Sequence, residues 1–391
     1  MKTIRDAVHG NIKVSDGEIE MLDSPQMQRL RNIKQLGFTY LVYPTATHTR
    51  FEHSLGTFYL AGRLAENIEL ETDAAEKIKL AALLHDVGHG PLSHTSEDVI
   101  KAHIGDEGKH EGKTINLIKK SRLADLIKKL GFKPDEIAKI VSGETQLGEI
   151  LSGEIDIDRM DYLVRDSYYT GAAYGMIDID RLLSVLKLYN RKLVLAEGGL
   201  SAAESLVQGR YLMYPNVYEH HTVRIINSMF TSAVLSCLRE NLFTVDELYA
   251  MDDIGIIAKL RSLDNEMIER IESRRLYKRA AVLEISDFGI PPKKLISLTS
   301  KKLRALEIEL TDTCGLADGE VLLDIPPPLY PKEAEATIMQ KGKPVKLTDV
   351  SLLLKSLKDE QWAYWNVGVY CKEENLKKVG KTARDILLGF K

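Results

Sequence analysis

Five of the chain's ten histidines fall in two short segments, His48-Thr49-Arg50-Phe51-Glu52-His53 and His85-Asp86-Val87-Gly88-His89-Gly90-Pro91-Leu92-Ser93-His94, and His110-Glu111 follows. Imidazoles and carboxylates crowded in this way can hold a metal ion or carry out acid–base chemistry. The apolar turn Leu80–Leu84 runs straight into His85-Asp86. A carboxylate at the end of a buried helix is costly unless it is paired or bound to metal. Adjacent His and Asp can both reach one cation where a helix frays into a loop. Gly88 and Gly90 are read as the residues that let the chain turn and bring His89 back. A second acidic stretch runs from Asp156 to Asp166. Asp158, Tyr162 and Asp166 are spaced four apart and share one helix face. The bland reading of that face is a solvated, salt-bridged helix.

These groups need a frame, and helical periodicity supplies most of it. Residues 1–15 read as an extended arm or short hairpin closed by Asp16-Gly17. A helical beat follows over 18–35, restarted at Asp23-Ser24-Pro25 with Asp23 or Ser24 as cap, and ended by Gly37. Helices are expected over 53–69, 73–86, 94–103, 110–120, 122–130, 134–142, 157–168, 178–187, 201–219 and 222–241, with a short strand at 193–195. Further helical stretches run to about 284. Strand-like runs then appear at Leu306–Leu310, Val321–Ile325, Thr337–Met339 and Trp362–Tyr370, with helices at 348–357 and 373–388. The expected fold is mainly α: a helical domain over 1–284 and a smaller α+β region over 285–391.

The bulk numbers are those of an ordinary globular protein: 391 residues, 44% hydrophobic and 28% charged. A net charge of −4 argues against a surface that is one large nucleic-acid footprint. Cys237, Cys314 and Cys371 are far apart with no CxxC spacing, the pattern of reduced, buried thiols. The N-terminus lacks the apolar core of a secretory signal, and no apolar run is long enough to span a bilayer. A cytoplasmic protein without membrane contact is expected.

The order His53, His85-Asp86, Asp158 resembles the HD superfamily of metal phosphohydrolases. The stretch from Asp23 to Gly37, followed by Arg50–Gly56, is similar to its deoxynucleoside triphosphate (dNTP) triphosphohydrolase branch. The likeness spans roughly residues 4–240. It implies a helical core and a divalent metal on His53, His85, Asp86 and Asp158; Mn, Fe, Ni, Zn and Mg all remain open. A Mg ion would enter with the triphosphate. The family reaction releases a deoxynucleoside and inorganic triphosphate. By the same resemblance His94, His110 and His89 are the catalytic candidates, with Glu97 and Glu111 placed to orient His110; Glu97 stands where Asp is familiar. Arg50, Arg159 and Arg210 would bind phosphates, Arg159 standing where Lys is familiar. Gln35, Tyr162 and Asp166 would surround the deoxyribose 3′-hydroxyl. Tyr162 and the backbone near Leu36 would crowd a 2′-hydroxyl. Tyr218 would lie beside sugar and base, while Tyr214 departs from an expected His.

Asp23, Gln28 and Arg31 match a guanine-reading regulatory site, which in such enzymes lies between subunits and implies a homodimer or homotetramer. Their bland reading is a helix cap and two surface polar residues. His9 and His103 are read as structural or exposed, His220 and His221 as core or subunit contacts, and His48 as a loop hydrogen-bonder. Two rival functions share the metal ligands. One is hydrolysis of another nucleotide: a monophosphate, a cyclic nucleotide or GTP. The other is a binding role toward nucleotide or single-stranded nucleic acid without turnover. Gln35, Tyr162, Asp166 and Arg210 favour the dNTP; the intact ligand set, His94 and His110 favour catalysis.

Overall fold

Apolar periodicity near 3.6 dominates the first 240 residues, and these residues fold as a stack of helices. The computed structural model describes residues 1–104, 110–190, 192–289, 291–329, 332–360 and 362–390. A hairpin comes first: β1 (Lys2–Asp6) pairs antiparallel with β2 (Gly10–Val14). Its turn is built by Asp6, whose carboxylate accepts from Val8 N and His9 N, and by Gly10 at φ +75°. Asp16-Gly17 does not close this hairpin. Both residues lie inside α1 (Asp16–Leu22), which Ser15 and Glu18 cap reciprocally. Ser24, not Asp23, caps α2 (Pro25–Arg29), with Pro25 in its first turn.

Two long helices form the heart of the core: α3 (Arg50–Asn67) and α4 (Thr72–Leu84). The chain continues through α5 (His94–Ile104), α6 (His110–Lys120), α7 (Arg122–Lys129), α8 (Pro134–Val141), α9 (Gly148–Ser152) and α10 (Ile157–Thr170). Of these, α10 packs on α3, α8 and α9 pack on α4, α6 and α7 pack on α8, and α5 packs on the later helix His221–Arg239. Leu60, Ala61 and Leu64 of α3, Ala81–Leu84 of α4 and Met160 and Leu163 of α10 are all fully buried. Each such leucine contributes about 2 kcal/mol through burial. Next come α11 (Ile179–Val185), α12 (Leu200–Met213), a π-helical turn over Tyr214–Tyr218, and α13 (His221–Arg239). Three helices follow: α14 (Val245–Ala250), α15 (Asp253–Ser262) and α16 (Glu266–Glu272).

Two small sheets complete the chain. β3 (Leu186–Tyr189), β4 (Lys192–Leu195), β7 (Thr337–Gln340) and β8 (Lys343–Lys346) form one, in that order. β5 (Lys278–Glu284), β9 (Asn366–Cys371) and β6 (Val321–Asp324) form the other. The first joins sequence-distant segments, because β4 and β7 pair in parallel at Leu195 and Ile338. Several sequence assignments change. The helical beat expected over 18–35 and ended by Gly37 stops at Asn32, with Ile33 extended. The helix expected over 178–187 ends at Val185, where β3 begins. β5 is a strand where helix was expected. Leu306–Leu310 lies within a helix, Ser300–Thr313, with Leu306 and Leu310 buried and Ile308 exposed. The fold is mainly α with small sheets toward the C-terminal end. Residues 332–357 contribute Ala334, Ala336, Ile338, Leu347 and Leu354 to the same core as α3, α4 and α10. The β5–β9–β6 sheet has a core of its own with the Ser300–Thr313 and Leu376–Leu387 helices. Cys237, Cys314 and Cys371 are buried free thiols. Among the described residues no helix is long and apolar enough to cross a membrane.

Candidate active site

His85 ends α4, where helix carbonyls lack intrahelical donors. Its Nδ1 donates to the carbonyl of Ala82 at 2.8 Å. A carbonyl only accepts, so Nδ1 carries the proton and Nε2 is left with a lone pair. That Nε2 is buried without a hydrogen-bond partner. His53, from the first turn of α3, is oriented in the same sense: its Nδ1 lies 2.7 Å from Asp161 Oδ2. Its Nε2 points at Asp158 Oδ1, 2.9 Å away, and lies 3.6 Å from Asp86 Oδ2. His85 Nε2 lies 3.3 Å from Asp86 Oδ1 and 3.7 Å from Asp158 Oδ1. The donor atoms of His53, His85 and Asp86 all lie within 4.8 Å of one another.

Ligands about 2.1 Å from one ion sit about 3.0–3.4 Å apart, and this set is close to that spacing. Two imidazole lone pairs and two carboxylates therefore fit a divalent cation, and an orphaned buried nitrogen points into the gap. Burial alone would lower the His53 pKa, but Asp158 and Asp161 outweigh it and raise it to about 10, so a cation would have to displace the Nε2 proton that otherwise faces Asp158.

Behind the ligands lies a buried charge network that sequence reasoning missed. Asp161 accepts from Arg165 at 2.9 Å through both oxygens and meets His9 Nε2 at 2.6 Å. Arg165 in turn donates to Asp6 at 2.8 Å, which ties the N-terminal hairpin to α10. Burial would raise the Asp161 pKa; Arg165, His53 and His9 hold it well below the usual range. His9 is thus structural, as one of its two readings had it.

Arg50 Nη1 donates to Asp86 Oδ2 at 2.5 Å, and Nε donates to Ser93 Oγ at 2.8 Å. Its Nη2 is buried and unpartnered, a donor left for a ligand. Ser93 and Leu92 both have φ +58°, a costly conformation for residues with a Cβ. Asp253 holds this corner by accepting from Leu92 N at 2.6 Å and Lys34 N at 3.0 Å. Arg29 clamps the same loop by donating to His89 O, Tyr249 O and Met251 O. Gly88 and Gly90 do not supply the left-handed turn. A Cβ on Gly88 would lie 2.3 Å from Thr114 N, so glycine there serves the close approach of α6.

Three histidines converge on one carboxylate. Glu97 Oε1 lies 2.9 Å from His89 Nδ1 and 2.7 Å from His110 Nδ1, while Oε2 lies 3.2 Å from His94 Nδ1. Only the His94 contact has hydrogen-bond angles; the other two are close approaches without them. His89 and His110 stack with ring centroids 3.8 Å apart. Burial, with the Arg50 guanidinium and the stacked His110 ring beside it, lowers the His89 pKa to about 4. Its Nε2 lies 3.2 Å from Asp86 Oδ1. Glu111 is exposed beside His110, and the carboxylate in described contact with that ring is Glu97.

Asp158, Tyr162 and Asp166 follow one face of α10. Asp166 is buried; one oxygen meets His48 Nε2 at 2.8 Å and the other accepts from Tyr218 OH at 2.9 Å. His48 thus bonds an acidic side chain of this face rather than a loop. Tyr162 packs edge-on to Tyr218, and burial raises its pKa to about 12. Gln35 is buried with Oε1 unpartnered, and Leu36 follows it half-buried. Arg159 and Arg210 both contact Glu333, a buried residue that the sequence did not flag. Away from the metal ligands, Gln28 Nε2 caps Leu22 O, Arg31 donates to Gln28 Oε1, and Asp23 is exposed at the end of α1. Arg31 lies over the Phe51 ring at 3.6 Å. His220 caps α13 and stacks on His221.

Known proteins share this frame. A family model of the HD domain matches residues 50–166, and one of an HD-associated region matches residues 177–388. The second extends the likeness well beyond residue 240. An uncharacterized protein of Methanocaldococcus jannaschii is 38% identical over 97% of this chain and 81% of its own length. The deoxynucleoside triphosphate triphosphohydrolase SAMHD1 of Gallus gallus is 30% identical over 71% of this chain. The match covers 56% of that enzyme, so the chain spans little more than half of its length. The crystal structure of a hypothetical protein from Aquifex aeolicus superposes with a TM-score of 0.78 at 30% identity, covering 97% of this chain and 99% of that one. A phosphohydrolase from Bacteroides thetaiotaomicron gives 0.76 at 25% identity, covering 95% and 100%. With the His53, His85-Asp86 and Asp158 cluster at its centre, the chain belongs to the HD-domain family of phosphohydrolases.

Proposed function

We propose that the protein is a metal-dependent dNTP triphosphohydrolase that converts a dNTP and water to a deoxynucleoside and triphosphate. One observation carries the reading. The helix face that begins at Asp158, among the candidate metal ligands, continues through Tyr162 to Asp166, whose partner His48 accepts through its carbonyl from the backbone N–H of Gln35, a residue with a buried, unpartnered Oε1, and so offers sugar-binding groups next to the metal-ligand cluster. The likeness to SAMHD1 enzymes points the same way.

His53, His85, Asp86 and Asp158 would hold the cation. When bound, it would polarise a phosphoryl oxygen and lower the pKa of the attacking water; imidazoles and carboxylates suit Mn, Fe, Ni, Zn and Mg to different degrees, and a mixed set leaves all five open. Arg50 Nη2 donates to a phosphate oxygen. His94 is exposed, with Nδ1 on Glu97, which leaves Nε2 to hand a proton to the leaving 5′-oxygen. His89 and His110 share the same carboxylate and steady it. Gln35 and Asp166 bind the 3′-hydroxyl, Tyr218 lines the sugar and base, and Tyr162 with Leu36 crowds a ribose 2′-hydroxyl. Mg enters with the triphosphate. Asp23, Gln28 and Arg31 form a guanine-nucleotide activator site in a homodimer or homotetramer. The stack of Arg31 on Phe51 leads from it to the start of α3.

A second reading has one observation in its favour. Glu333 sits on Arg159 and Arg210, which among the described residues leaves Arg50, on Asp86, as the cation in contact with the candidate metal ligands and suits a nucleoside monophosphate. The deciding experiment is incubation of the purified protein with each dNTP, alone and mixed, and with GTP and each deoxynucleoside monophosphate, under Mg plus Mn. Products are separated by ion-pair chromatography. Deoxynucleoside plus triphosphate is expected. Phosphate released from monophosphates alone would replace this reading with the second.

A further inference from the structure

Arg159 and Arg210 come from different helices, α10 and α12, yet one carboxylate lies between them. Glu333, in the short turn Lys332–Glu335, accepts from Arg210 Nη1 at 3.1 Å and contacts Arg159 Nε. The Glu333 side chain is fully buried, whereas those of Arg159 and Arg210 retain 15% and 20% exposure. Glu333 Oε1 makes no hydrogen bond, because its Arg159 contact lacks the angles of one. The other edge of Arg159 is taken by Asp156 and by the carbonyl of Gly153 at 2.7 Å. The cluster is thus two guanidiniums and two carboxylates. Charges that offset one another in this way weaken the pull on a polyanion. A phosphate also needs the fork donors that Glu333 occupies. The carboxylate offers what the edge of a phosphoryl group offers: two oxygens that only accept.

We propose that Glu333 is an internal stand-in for a substrate phosphate, an autoinhibitory contact that a polyphosphate tail must displace, together with its turn, in order to bind. Regulation of this kind rests on the triphosphatase reading above, although the competition for the two arginines does not. The turn is set on the arginine-bearing helices. Ala334 and Ala336 are buried in the shared core, and Ser351 Oγ lies 2.5 Å from Glu204 Oε1 of α12. Docking of residues 332–354 and binding of an anion at Arg159 and Arg210 therefore oppose each other. By reciprocity, whatever lifts this segment tightens the anion site.

The test uses the full chain and inorganic tripolyphosphate, with EDTA present to keep metal out of the measurement. Calorimetry is expected to give a Kd at least tenfold tighter for Glu333→Gln than for the native chain, and Arg210→Ala added to that variant should abolish the gain. On dNTPs, Glu333→Gln should lower KM by a similar factor while kcat changes less. In the native chain, tripolyphosphate should raise amide hydrogen exchange over 332–336, a readout that needs no variant. A Glu333→Gln protein with an intact melting transition that binds tripolyphosphate no tighter, or exchange over 332–336 that stays level or falls, overturns the proposal. Tighter tripolyphosphate binding without turnover of any dNTP would keep the contact and remove the dNTP reading. Turnover of dNTPs with unchanged tripolyphosphate binding would do the reverse.

Discussion

His53 can serve a metal only if its proton stays on Nδ1, and Asp161 is the group that keeps it there. The Asp161 carboxylate also neutralises Arg165, whose side chain is fully buried. Asp161→Asn keeps the shape and removes the charge. The amide can no longer fix the imidazole as firmly, and Arg165 is left with Asp6. Loss of an outer hydrogen-bond partner of this kind lowers metal affinity by roughly 10- to 100-fold. Weakening a buried ion pair costs about 3 kcal/mol in stability. Titration with Mn against a competing chelator, beside thermal melts, checks both. Native affinity in Asp161→Asn would mean that the helix alone fixes the ring. A similar argument applies to sugar selection. Tyr162→Ala should narrow the preference for dNTPs over NTPs, read as the ratio of their kcat/KM values, and an unchanged ratio removes Tyr162 from that role.

Helix α3 meets α10 closely enough for Asp161 and Arg165 to lie against it only because Gly56 has no side chain. A Cβ there would fall 1.8 Å from Asp161 Oδ1 and 2.5 Å from Arg165 Nη2. Helix propensity favours Gly56→Ala by about 1 kcal/mol. Overpacking a filled interior costs about 1–3 kcal/mol, and here the clash falls on the pair that backs His53, a candidate metal ligand. The substitution should therefore lower both Tm and metal affinity; a higher Tm would show that the two helices can part freely. Elements such as α3 and α4 were readable in the sequence because a buried stripe at helical spacing runs their whole length. Leu306–Leu310 misled because Leu, Ile and Leu alternate with Glu, the period of a strand. The helix buries Leu306 and Leu310 and leaves Ile308 out. The error at β5 ran the other way: in KRAAVLE, only Ala281 and Leu283 are fully buried, too weak an alternation to read. The motif glycines were noticed for a good reason but the wrong one, since the left-handed residues are Leu92 and Ser93.

Across the whole molecule, the parts hidden from the sequence are those joined over long separations. His85-Asp86 announces itself by adjacency, but Glu333 reaches Arg210 across 123 residues and Asp253 reaches Leu92 across 161. No local pattern marks either carboxylate. The same holds where α13 meets the C-terminal sheet. Arg224 donates to Asp324 at 2.7 Å and to Asn366, with Tyr370 on the same Asp324 oxygen. Glu219 lies 3.5 Å from Arg224 Nε. Burial is the main force that raises the Glu219 pKa; Arg224 lowers it, Asp324 and Asp98 raise it, and the result is about 7. In the unfolded chain the value is 4.5. Between those two values the folded protein holds a proton that the unfolded chain releases, so stability falls as pH rises through this window. Above pH 7 the penalty is fully present; below pH 4.5 it is gone. The side chain is 28% exposed, which limits the penalty to about 1–2 kcal/mol. Glu219→Gln removes it while Arg224 keeps Asp324. The variant should melt several degrees above the native protein at pH 8 and close to it at pH 5, in scans at fixed ionic strength. A loss of stability at pH 8 would mean that the attraction to Arg224 outweighs burial, and that Glu219 is a working ion-pair partner in this joint.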